Sequence, residues 1–93
     1  MKACLVAFHY PHASHREEFI ARVRRVAGIF RRTPGCLSAD CWVTDEAVAS
    51  TVHMESAEAL DSALATVMAT AGADIVFDDR EMRPREIHRL TAP

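Results

Sequence analysis

Five histidines stand out as the side chains whose charge changes near neutral pH: His9, His12, His15, His53 and His88. Two of them lie where a predicted strand ends, which suits a general base at the mouth of a pocket. His53 precedes Met54 at the end of one β-rich run, and His9 with Tyr10 ends the first apolar run. Each has an ordinary alternative: His53 as a strand histidine in an interface, Tyr10 as a rim residue rather than one that steers a substrate oxygen. Trp42 is the only tryptophan. It is a candidate to stack on a planar aromatic ligand, or to anchor a protein–protein interface. Asp40, between apolar neighbours, needs a partner or a raised pKa if it is buried. His9, His12 and His15 fall at a spacing that suggests a metal on a continuous helix, but Pro11 interrupts the run. No cysteine or carboxylate stands at a zinc spacing, so no metal site is expected. No phosphate-binding, dinucleotide or nucleophile-elbow motif occurs either.

The elements that would position these groups follow from periodicity. Residues 2–9 are apolar on both alternating sets, which reads as a central strand. Ser14 and Glu17 have capping-box spacing, and Phe19, Val23, Val26 and Phe30 recur as one face of a helix. Thr33-Pro34-Gly35 ends that helix near Arg32. Leu37, Ala39, Cys41 and Val43 then alternate with Ser38, Asp40 and Trp42 as in a strand. The polar turn at residues 44–46 leads into a second strand ending at Met54. Ser56 caps a second helix, with Leu60, Leu64, Val67 and Met68 as its stripe and Gly72 as its stop. Residues 73–81 fit a turn of helix or a strand stub equally well. Residues 85–90, behind Pro84, read as the last strand.

The order βαββαβ makes one α+β domain over residues 1–93: a ferredoxin-like sandwich with an antiparallel sheet and both helices on one face. The other face of the sheet would be bare and apolar. A homodimer pairing sheet to sheet covers it economically.

Composition sets the class. The chain has 93 residues, 49% apolar and 26% charged, with a net charge of −2. That is a small globular domain without a general attraction to nucleic acid or an anionic membrane. The arginines at 22, 24, 25, 31 and 32 read first as a solvated helix face and second as an anion site. Three cysteines without framework spacing, and an opening too short and mixed for a signal peptide, point to a reduced, cytoplasmic setting.

Glu55-Ser56-Ala57-Glu58-Ala59-Leu60, with Met54 before it, resembles the Trp-Glu-Ser-x-x-Ala-Leu signature of the antibiotic-biosynthesis-monooxygenase group of dimeric α+β barrels. The first strand, the helix start around Ser14–Phe19 and the Thr33-Pro34-Gly35-Cys36-Leu37-Ser38 turn are similar to that group in the same order. The resemblance implies a homodimer with a small apolar cavity on the helix-facing side of each sheet. It implies a cofactor-independent monooxygenase acting on an aromatic or quinol-like metabolite, with His53 or His9 as base and Trp42, Tyr10, Met54 and Leu64 as substrate contacts. Haem-degrading members use an Asn, a Trp and a His at positions that fall near Ala7, Met54 and Leu64, and none of these can do that work. Two rivals use the same scaffold: a non-oxidative binder or isomerase/cyclase, and a non-catalytic dimeric module whose pocket is filled by side chains.

Overall fold

A computed structural model describes residues 1–93. Strand β1 (Ala3–His9) leads through a 3-10 turn at Ala13–His15 into helix α1 (Arg16–Arg31). Strands β2 (Cys36–Val43) and β3 (Val48–Met54) form a hairpin. Helix α2 (Ala57–Ala71) follows, and after a second 3-10 turn at Gly72–Asp74 the chain closes with β4 (Glu86–Thr91). The sheet order is β2-β3-β1-β4, antiparallel throughout. This is the ferredoxin-like α+β sandwich. No helix is long and apolar enough to cross a membrane.

Strand parity decides what meets what. Leu5, Ala7 and His9 of β1 pair across the sheet with Val52, Ser50 and Val48 of β3, on the face that carries the helices. There Leu5, Val52 and Met54 pack with Phe30 of α1 and with Leu60, Ala63 and Val67 of α2 in one buried cluster. Each such large side chain contributes about 1.5–3 kcal/mol by leaving water. Cys4, Val6 and Phe8 point to the opposite face, where Trp42 remains 57% and Leu90 52% exposed. That face is open in the single chain and, against the expectation of an apolar face, mixed: Ser38, Asp40, Thr51, His53, Glu86 and His88 stand among Cys4, Val6, Phe8, Trp42 and Leu90.

Two local expectations need correction. Ser14 does not cap α1: it lies inside the 3-10 turn, and α1 starts behind His15 with no side-chain cap. Glu17 and Glu18 in its first turn serve the helix dipole instead. Leu37 does not share the parity of Ala39, because the register shifts between Cys36 and Ser38 and leaves Leu37 half exposed. The Ser56 cap forms, its hydroxyl accepting from the Ala59 N–H at 3.1 Å.

Candidate active site

Between the helix-facing side of the sheet, the two helices and the segment after α2 lies an apolar cavity of about 440 Å³. That is the size range of small-molecule sites. Leu5 and Ala7 form its floor, and Phe19, Val23 and Leu64 form its walls. Met68, Val76 and Ile87 line it and are at least half exposed, so they mark its mouth. Polar groups are few, and His9 is one of them.

His9 reaches the cavity because β1 parity sends it to the same face as Leu5 and Ala7. Its side chain is 14% exposed, and its ring lies 6.2 Å from that of Phe19. Its Nδ1 is 3.5 Å from Oε1 of Glu81, whose side chain is wholly buried. Neither atom has another partner. The other carboxylate oxygen of Glu81 accepts from Arg85 Nη2 at 2.6 Å. Burial lowers the His9 pKa below the ordinary 6.5. Arg85 lowers it further, Glu81 opposes this, and Arg22 adds a smaller depression. The ring is therefore neutral at neutral pH. The Glu81 carboxyl oxygen beside Nδ1 favours the proton there and leaves Nε2 as the basic nitrogen.

The segment that delivers Glu81 is the one whose sequence was ambiguous. Of residues 73–81, 73 and 74 complete the 3-10 turn, and the rest form neither helix nor strand stub beyond a single bridge from Glu81 to Pro11. The segment is stitched to the end of β1: the Met82 N–H donates to the Tyr10 carbonyl at 2.7 Å, and the His12 N–H to that of Arg80 at 2.9 Å. Arg85 donates to the Ile75 carbonyl at 2.7 Å. Arg80 pairs with Asp78 and with Glu18 of α1, and holds the Asp78 carboxyl well below the usual carboxylate range. Glu81 and Arg85 had no motif to reveal them; one of each sits among many acidic and basic residues.

Arg22 corrects the solvated-face expectation for its cluster. It is 4% exposed and lines the cavity, while Arg24 and Arg25 face solvent.

The other residues singled out from sequence lie elsewhere. Leu64 lines the cavity. Met54 is fully buried in the core and does not line it. His53 stands on the open sheet face, exposed, with Nδ1 2.9 Å from the Ser38 hydroxyl. Trp42 lies on that face too, its indole N–H donating to Thr51 Oγ1 at 2.7 Å. Tyr10 is buried and does not line the cavity. Its hydroxyl donates to Glu86 Oε1 at 2.8 Å, which raises its pKa, and Arg83 covers its ring at 3.8 Å. Asp40 is half exposed and 3.7 Å from Arg31. His88 is exposed, 4.0 Å from Glu86. No three His, Cys, Asp or Glu side chains converge as a metal set.

The fold, though not the site, has parallels among solved structures. SnoaB, a cofactor-independent oxygenase from Streptomyces nogalater, superposes with a TM-score of 0.76 at 21% identity, covering 99% of this chain and 93% of that one. The fold is that of the antibiotic-biosynthesis-monooxygenase structures. A protein bearing that name matches with a TM-score of 0.78 at 16% identity, over 98% of each chain. A conserved protein from Methanosarcina mazei matches with a TM-score of 0.80 at 12% identity, over 97% of this chain and 91% of its own. No protein-family model matches the sequence, and no curated protein matches it by sequence.

Proposed function

We propose that this protein is a cofactor-independent monooxygenase of an aromatic, quinol-like metabolite, working as a homodimer with His9 as its base. The observation that carries the reading is the neutral, nearly buried His9 backed by Glu81 in the wall of an apolar cavity. The fold shared with SnoaB supports it.

The reaction needs little from the protein beyond a base and a dry pocket. His9 takes a proton from an activated CH2 carbon of the reduced substrate. The carbanion gives one electron to O2, and the resulting radical and superoxide combine in a new C–O bond. The peroxide recovers the proton from His9. Loss of water from the hydroperoxide leaves a C=O group, so CH2 and O2 become C=O and H2O. Leu64, Phe19 and Val23 would hold the ring and exclude water. His53, exposed on the far side of the sheet, has no part in this chemistry.

The homodimer is supported by the open face, where Val6 and Phe8 run between Trp42 and Leu90. A partner would cover the apolar side chains on this mixed face, and a two-fold copy presents a matching set. The three cysteines, all free, fit a reducing cytoplasm.

The test is oxygen uptake by the purified protein on anthrones and dihydroxynaphthalenes, with product mass. Uptake with a product of anthrone mass plus one oxygen minus two hydrogens is expected. A product of unchanged mass would replace this reading with an isomerase or cyclase.

A further inference from the structure

Arg22 carries a buried charge matched only by a long ion pair that it shares with Arg25. Its side chain is 5% exposed, and its guanidinium lies 4.9 Å over the Phe19 ring. Nη2 donates to the Ala73 carbonyl at 3.0 Å, a neutral acceptor. Asp74 is 4.0 Å from Nε, at the edge of an ion pair. That carboxylate already accepts from Arg25 at 2.9 and 3.3 Å. Nη1 of Arg22 is buried without any partner. A desolvated guanidinium in this state is costly unless another group supplies the missing negative charge.

Arg22 lines the cavity, and so does Asp74. Arg85 and Arg89 line it too, but each has its own carboxylate, Glu81 and Asp61. Arg85 Nε is also buried without a partner, but of the three Arg22 is the one whose nearest carboxylate, Asp74, is already held by another arginine. We propose that the cavity takes an aromatic acid, with the carboxylate on Arg22 and the ring system among the apolar side chains. A forked guanidinium matches a carboxylate in both charge and shape. The apolar walls need a flat hydrocarbon body. This rests on the cavity being the substrate site, and it names the substrate class of that site.

A consequence follows for the base. Arg22 is among the charges that hold the His9 pKa down. A carboxylate on Arg22 would offset that smaller influence, while burial remains the main cause that holds the His9 pKa down.

The test is calorimetric titration of the whole protein at neutral pH with naphthalene carboxylate and its neutral isostere, naphthalene carboxamide. The carboxylate is expected to bind about tenfold tighter or better. Arg22→Gln should erase that preference and leave carboxamide affinity within about twofold, while Arg24→Gln on the exposed face should keep it. If Arg22→Gln does not fold, the wild-type comparison decides alone. Equal affinities, a carboxamide preference, or no binding of either at millimolar concentration would overturn the proposal. Oxygen uptake on neutral anthrones without a carboxylate preference would sink the acid site and leave the oxygenase standing. A carboxylate preference, with no uptake on anthrones or hydroxynaphthoates, would do the reverse.

Discussion

Glu81 Oε1 faces His9 Nδ1 at 3.5 Å, and the two atoms have no partner but each other. They lie far apart in sequence, one ending β1 and one in the irregular segment before β4. The backbone ties between that segment and Tyr10 and His12 bring them together. The contact is long for a hydrogen bond; under the proposed reaction it would tighten when substrate arrives. Its value lies in direction: the carboxylate keeps the proton on Nδ1 and frees Nε2.

His9→Ala is therefore expected to lower turnover by about a hundredfold or more, the usual scale for a lost general base. His53→Ala should leave it within about twofold, because His53 lies across the sheet from the cavity. Oxygen consumption on a shared anthrone substrate measures both. Equal losses, or a loss only in His53→Ala, would remove His9 from its role.

The sheet and both helices were legible because each rests on local periodicity. β1 read as central from two apolar sets, and α2 from Ser56 and its stripe. The cavity's polar side was not legible, for physical reasons. Glu81 and Arg85 are buried only through tertiary contacts made by a segment without period. Arg22 looked like its neighbours because exposure changes within one turn of α1, from the buried Arg22 to the exposed Arg24 and Arg25. His9 was visible because it ends the first apolar strand-like run. Met54 read as a substrate contact, and the sequence did not show that it would be sealed beneath α2 rather than in the cavity wall.

Stability should depend on pH through His9. Its folded pKa is below 6.5, chiefly from burial. Above pH 6.5 the ring is neutral in both states, and its contribution is complete. As pH falls below 6.5 the unfolded chain takes up a proton that the folded chain refuses. The unfolded state then binds more protons, so stability declines until the folded pKa is passed. Urea unfolding at about pH 7.5 and about pH 5 should give a smaller drop for His9→Asn than for the wild type. Identical drops would mean that His9 titrates alike in both states.

Glu81→Gln removes the charge that Arg85 relies on and keeps the shape. An uncompensated buried guanidinium is expected to reduce stability by about 3 kcal/mol, read as a lower urea midpoint. A variant as stable as wild type would mean that the Arg85–Glu81 pair contributes nothing net.

The open face predicts an assembly. Light scattering should return twice the 10.3 kDa of one chain. Val6 sits mid-strand in β1, between Thr51 and His88 across the sheet. Val6→Asp puts an unpaired charge at the centre of the buried seam, so it should yield monomers. A wild-type mass of one chain would remove the argument from the bare face.

Gly35 gives the sharpest test of the turn that launches β2. Its φ is +84°, a region that side chains rarely adopt. A Cβ there would stand 2.9 Å from the Ala59 Cβ, at the start of α2. Strain and contact act together in Gly35→Ala, for an expected loss of about 2 kcal/mol and a melting temperature lower by roughly 10 °C. Gly28 supplies the opposite sign. It is helical, and nothing lies within 4 Å of a Cβ built on it. Gly28→Ala should stabilise by about 0.5–1 kcal/mol through helix propensity alone. Thermal melts of the pair should move apart, and a shift of both in the same direction would contradict the backbone geometry assigned to one of them.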